Sequence, residues 1–289
     1  MRINTPADCI WLCRGGEPTD MTNFQKAAHG PFAAPLSIDQ ANAFLVWSLA
    51  VKCTAEREQL RLRCLYDAGF ARPIGRLKSE EIVLWLAKVA PPGDVVAGEP
   101  DTLRVGQAMQ VLDADETDRL ARFLHIEDRM GYLAAHAGAR LLLGAIAGRA
   151  ADGLRFEQSA LGKPVLVDAP ADLDFSLSHA RGAVAAAVAH MPIGVDIEPL
   201  RQIADMDAMS EIVLAAEELR ELAKAPATQR SRLFLRYWTL KEAILKAAGV
   251  GFTIPPDTLI VDAGSSPAVL SVPAALGSAA QWRVIASAP

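Results

Sequence analysis

The stretch SRLFLRYWTLKEAILKAAGVG, residues Ser231 to Gly251, decides how the chain is to be read. Leu233, Tyr237, Leu240, Ile244 and Ala248 recur at steps of three and four, which on a helix of 3.6 residues per turn puts them on one apolar stripe facing a core. A second register carries Trp238, Glu242 and Lys246 four apart, so a large ring, a carboxylate and an ammonium stack along another face. Gly249 and Gly251 end the helix. Taken alone, Glu242 and Lys246 are an ordinary exposed helix pair worth only about 0.2–0.5 kcal/mol.

Gly194-Val195-Asp196-Ile197-Glu198, upstream, raises the weight of that face. It reads as a buried strand in which Val195 and Ile197 point one way and Asp196 and Glu198 the other. Adjacent carboxylates repel unless a cation or a proton lies between them. With Glu242 they make an oxygen-rich set suited to Mg²⁺, a hard cation that keeps waters and binds substrate phosphates. The competing reading is a solvated strand edge.

A chain of 289 residues, 51% of them apolar, allows one large or two modest domains with a sizeable core. No window approaches the roughly eighteen uninterrupted apolar residues of a membrane span, and the opening MRINTPADCIWLC lacks a signal-peptide core. A cytoplasmic protein without membrane association is expected. A net charge of -5 without a basic tract argues against nucleic-acid binding, so an anionic ligand must meet local basic groups. Cys9, Cys13, Cys53 and Cys64 all fall in the first quarter of the chain, and only the first two are close. Reduced thiols are therefore expected rather than a zinc site.

Residues 1 to about 35 read as irregular coil, broken by His29-Gly30-Pro31 and Ala34-Pro35. From Ser37, which with Gln40 resembles a capping box, Ile38 to Leu65 reads as one or two helices with Ala43, Val46, Trp47, Ala50 and Val51 on the apolar face. Residues 1–79 are thus expected to be a mainly helical extension without chemistry of its own, a cap on the main domain. Glu81 to Ala90 reads as a strand, Asp113 to Leu124 and Glu127 to Gly148 as helices. Leu161 to Val167 and Asp174 to Ser178 read as short strands, and Ala183–Ala189 with Pro192–Glu198 as a hairpin through His190-Met191. Helices over Ala204 to Ala223 precede the central helix, and closing strands follow at Thr258–Val261, Ala268–Val272 and Gln281–Ser287. The fold class is α+β.

Four blocks in order carry a family resemblance: Leu161-Gly162-Lys163-Pro164, Phe175-Ser176-Leu177-Ser178-His179, Gly194 to Glu198, and Trp238 through Lys241-Glu242-Ala243 to Lys246. Together they resemble the larger, surfactin-type branch of the 4'-phosphopantetheinyl transferases, from about Glu81 to near the C-terminus. Ser176 stands where that family usually has Asn, a departure that bears on a local hydrogen bond. The resemblance implies two similar α/β halves about a pseudo two-fold, about 80–180 and 181–289, with coenzyme A in the cleft between them. It further implies transfer of 4'-phosphopantetheine to a serine of an apo acyl or peptidyl carrier protein, with release of 3',5'-ADP.

On that basis Asp196, Glu198 and Glu242 are the expected Mg²⁺ ligands, Glu242 doubling as a candidate base for the serine hydroxyl. Lys246 is expected at the transferred phosphate, and Ser178 and His179 on coenzyme A. Lys163, in a Gly-Lys-Pro turn that should point its side chain outward, is expected at a phosphate. Among the first-half candidates Arg119, Arg129, His136 and Arg140, the resemblance selects Arg119 and His136 for the nucleotide's 3'-phosphate. Arg230, Arg232 and Arg236 form the most basic cluster near the site and are weighed as a carrier contact against a solvated helix start. Two other readings stand beside transfer: a non-catalytic coenzyme A or carrier-protein binding module, which would not need the metal set, and a magnesium-dependent phosphohydrolase.

Overall fold

The computed structural model describes residues 34–35, 45–53, 60–65, 75–89 and 106–287. In chain order the elements are β1 (Ala34–Pro35), β2 (Leu45–Lys52), β3 (Arg61–Leu65), β4 (Glu81–Lys88), α1 (Ala114–Ala121), α2 (Ile126–Ala147), β5 (Phe156–Gln158), β6 (Pro164–Leu166), β7 (Asp174–Ala180), β8 (Ala183–Ala189), β9 (Ile193–Pro199), α3 (Met206–Val213), α4 (Ala216–Lys224), α5 (Ala227–Ala248), β10 (Ile260–Asp262), β11 (Ala268–Ser271) and β12 (Trp282–Ala286). The α+β reading holds. One sheet has five strands in the order β1-β4-β8-β7, with β3 also on β4; a second has three, β12-β2-β9.

Both sheets are buried on two faces, and that is where the sequence reading goes wrong before residue 80. Leu45 to Val51 was expected to be helical and is instead the middle strand of the second sheet, antiparallel to β9 on one side and β12 on the other. Its alternate residues serve different cores. Val46 and Ala50 pack with α5, while Leu45, Trp47, Leu49 and Val51 pack against β4, β8 and β9. A strand buried on both sides shows no polar alternation, so its apolar run fits a helical stripe equally well. β3 is likewise a strand, parallel to β4. Ser37 and Gln40 lie outside the described residues.

The expected hairpin of Ala183–Ala189 with the following strand is also corrected. β8 pairs with β4 and β7, whereas β9 pairs with β2. The chain therefore leaves one sheet and enters the other between Ala189 and Ile193. This leaves β7 and β9 as neighbouring edge strands of two sheets. α2 covers the first sheet and α5 the second. α2 is the only helix among the described residues long and apolar enough to cross a membrane, and most of that stretch is buried in the core.

α5 is longer at its start than Ser231 and stops at Gly249, whose φ of 68° is the left-handed cap expected of glycine. It lies directly on β9 at Gly194, where a Cβ would come within 2.0 Å of the Ala243 carbonyl oxygen and 2.5 Å of the Ala247 nitrogen. Only glycine permits that approach. It sets Glu242 and Lys246, each one residue before those contacts, over the strand carrying Asp196 and Glu198.

Candidate active site

A cleft of about 660 Å³ opens along the junction of β7, β9 and α5. The alternation of β7 sorts its side chains. Phe175 and Leu177 join the core under α2, whereas Ser176 and Ser178 are buried toward β9. Ser176 Oγ accepts the Val195 N–H at 3.0 Å, so serine makes the local bond that was in question at this position.

Lys246 reaches across from α5. Its Nζ lies 2.6 Å from Asp196 Oδ1, 3.0 Å from Ser178 Oγ and 3.3 Å from the Val195 carbonyl oxygen, and Ser178 in turn donates to Asp196 Oδ1 at 2.8 Å. The partner of Lys246 is therefore Asp196 and not Glu242, which removes the exposed helix-pair reading. The other Asp196 oxygen, Oδ2, is buried without a partner. Burial, and then the Asp196 charge, push the carboxyls of Glu198 and Glu242 up to about 7.

An orphaned buried carboxylate oxygen beside two carboxyls that resist ionisation is a site short of positive charge, and it fits a divalent cation. Asp196, Glu198 and Glu242 line the cleft with the donor chemistry for it and would have to draw closer to hold it. Among the described residues no three His, Cys, Asp or Glu side chains are drawn together closely enough to enclose an ion.

The opposite wall comes from α1, α2 and the end of β7. Tyr132 and His136 stack with ring centroids 3.9 Å apart, His179 meets Tyr132 edge-on at 6.1 Å, and Arg119 lies 6.0 Å from the Tyr132 centroid. His136 Nδ1 pairs with Glu116 Oε1 at 2.8 Å. Burial first, and then the positive potential of His136 and Lys246, pull His179 down to about 4, so it is neutral at physiological pH. Arg119, His136, Ser178 and His179 all line the cleft, as expected. Tyr132 also lines the cleft, and its place in the same helical register as His136, four residues on, is the signal that the sequence offers for it.

Lys163 borders the cleft, but its side chain turns inward. Its ammonium pairs with Asp174 and donates to the carbonyls of Ile193 at 3.1 Å and Ala247 at 3.4 Å. A turn backbone did not dictate an outward side chain. Arg140 is buried under α1, bound to Asp113, Glu116 and two carbonyls, and Arg129 does not line the cleft. Arg236 leaves the proposed basic cluster, being buried with its guanidinium on the carbonyls of Ala263, Gly264 and Ser287. Lys241 is buried as well, 2.5 Å from Glu218 and 2.7 Å from the Val213 carbonyl, and ties α5 to α3 and α4. Cys53 is buried and Cys64 half-buried; Cys9 and Cys13 lie outside the described residues.

Comparison with known proteins gives this geometry its class. A family model described as the 4'-phosphopantetheinyl transferase superfamily matches residues 192–286, the segment that holds β9 and α5. The chain is 30% identical to 4'-phosphopantetheinyl transferase HetI of Nostoc sp. over 216 residues, 74% of this chain and 85% of the relative. It is 30% identical over 165 residues to a 4'-phosphopantetheinyl transferase of Bacillus subtilis, 57% of this chain and 70% of the relative. It is also 28% identical over 162 residues to 4'-phosphopantetheinyl transferase Sfp of Bacillus subtilis strain 168, 53% and 67% of the two chains. The chain belongs to the 4'-phosphopantetheinyl transferase superfamily, on its surfactin-type branch.

Proposed function

We propose that this protein transfers 4'-phosphopantetheine from coenzyme A to a serine of an apo acyl or peptidyl carrier protein in the cytoplasm, with Mg²⁺, releasing 3',5'-ADP. The observation that carries the reading is the convergence of Asp196, Glu198, Glu242, Lys246, Ser178 and His179 from β7, β9 and α5 on one cleft, in a chain of this family. A binding module would not need the first four.

The diphosphate of coenzyme A lies between Lys246 and the carboxylates, and the nucleotide end on the Arg119, Tyr132 and His136 wall, where stacked rings suit a base and a guanidinium suits a phosphate. When bound, Mg²⁺ held by Asp196, Glu198 and Glu242 supplies positive charge to the diphosphate oxygens. Glu242 lines the cleft and takes the proton of the serine hydroxyl, directly or through a water. The serine oxygen bonds to the β-phosphorus, and the bond from that phosphorus to the oxygen of 3',5'-ADP breaks. Lys246, whose three protons already have protein acceptors, acts through its positive charge beside the departing phosphate. Neutral His179 donates a hydrogen bond to the ligand.

The test is product analysis. Coenzyme A and Mg²⁺ should give 3',5'-ADP only when apo-carrier is present, one for each carrier modified. Release of nucleotide without a carrier would favour the phosphohydrolase instead.

A further inference from the structure

β7 and β9 run alongside each other as edges of different sheets, and among the described residues no backbone ladder joins them. Side chains do so instead. The face of β7 made by Asp174, Ser176 and Ser178 meets β9 at three points: Asp174 Oδ2 accepts the Ile193 N–H at 2.8 Å, Ser176 Oγ accepts the Val195 N–H at 3.0 Å, and Ser178 Oγ donates to the Asp196 side chain at Oδ1, 2.8 Å away. Asp174 is held at both oxygens, since Oδ1 accepts the Phe175 N–H at 2.8 Å.

Lys163 closes this seam at its lower end. An ammonium has three protons, and here all three have protein acceptors: the Asp174 carboxylate on β7, the Ile193 carbonyl on β9 and the Ala247 carbonyl at the end of α5. The side chain is only 14% exposed. No donor is left for a ligand phosphate, and the three acceptors belong to the three elements that meet along this wall of the cleft. Lys246 occupies the equivalent place at the upper end, on Ser178, the Val195 carbonyl and Asp196.

We propose that Lys163 and Asp174 are positioning residues, a pair that fixes β7 against β9 and α5 and so sets the reach from Ser178 and His179 to Asp196, Glu198 and Lys246, without Lys163 touching the ligand. Its kinetic consequence rests on the transfer reading above; its structural one does not.

The experiment uses the full chain with Lys163→Met, Asp174→Asn and the double substitution. Amide exchange at Ile193 and Val195 is followed in the ligand-free protein, and kcat and KM for coenzyme A are measured with an apo-carrier. Each single variant should speed exchange at those amides about tenfold or more, and lower kcat about tenfold with KM within about threefold. The double variant should be no worse than the worse single one, because both remove the same link.

A Lys163→Met enzyme with unchanged exchange and kcat but a KM raised more than about tenfold would make Lys163 a ligand contact and overturn the proposal. Additive losses in the double variant would also overturn it. Should Lys163→Met not fold, Asp174→Asn decides by the same exchange and kcat criteria, since Asn keeps an acceptor for the Ile193 N–H. If the wild type transfers nothing, the functional reading fails, while the exchange results still judge the seam.

Discussion

Lys246 is where the chemistry and the fold are hardest to separate, because its ammonium both neutralises buried Asp196 and faces the cleft. Lys246→Ala should cut turnover about a hundredfold or more, as loss of a charge aimed at the transition state does. It should also cost stability of about 1–3 kcal/mol by leaving Asp196 underserved. Turnover within about twofold of wild type would remove Lys246 from the mechanism. Glu198 and Glu242 give a pH signature. Their folded-state values near 7 lie above the ordinary 4.5, so between those limits the folded protein binds more protons than the unfolded chain. Their contribution to stability is full below about pH 4.5 and is lost as pH rises through about 7. Mg²⁺, which needs the ionised carboxylates, should raise the melting temperature more at about pH 8 than at about pH 6; equal increments by calorimetry would contradict the ligand assignment. At this scale the site was largely legible, since a period of two at Asp196 and Glu198 and a period of four at Trp238, Glu242 and Lys246 have few explanations other than a shared face. The partners were not legible. Lys246 has Glu242 one turn away in its own helix, and nothing local says that Asp196, fifty residues earlier in sequence, takes it instead. Lys163 drew on acceptors from three separate segments, which no turn motif encodes.

At the scale of elements, the contact of α5 with β9 holds Glu242 and Lys246 over Asp196 and Glu198. Gly194→Ala pushes a methyl group into the Ala243 carbonyl and should destabilise by about 1–3 kcal/mol or more, with activity falling further than stability because Glu242 and Lys246 move away from Asp196. An alanine variant with wild-type melting temperature and turnover would show that the close approach is dispensable. β2 matters in the same way. Ser48 and Val46 pair in register with Asp196 and Glu198, and Ser48 Oγ lies 2.8 Å from Thr239 Oγ1 on α5. Trp47→Ala should cost about 3–5 kcal/mol, measured by denaturant unfolding. Helices α2 and α5 were readable from their length and the glycines that end them, although both are buried on most sides and Leu233 and Ala248 of the expected α5 stripe are only half-buried. β2 was misread because LVWSLAVK is apolar on both faces; its β-branched and aromatic content was the remaining clue, and it lost to an apparent helical stripe.

For the whole molecule, the consequence of β2 is that residues before 80 are not a removable cap. Deleting them takes away the strand between β9 and β12, so the truncated protein should lose its cooperative melt and its activity together. A soluble, fully active protein starting near residue 80 would contradict that architecture. The order in which the chain visits two sheets was beyond sequence reading, because the crossing between Ala189 and Ile193 looks locally like any tight turn. The site is the product of that crossing, with β7 from one sheet and β9 from the other facing each other over α5. The most direct test is the mass of an apo-carrier protein after incubation with coenzyme A and the full-length enzyme, with and without Mg²⁺, beside the Asp196→Ala variant. The carrier should gain one phosphopantetheine on its serine with the wild type and Mg²⁺, and stay unmodified when the metal is chelated or Asp196 is replaced. A carrier left unmodified by the wild type, or one modified equally well without Mg²⁺ and by the Asp196→Ala protein, would contradict the assignment of this cleft.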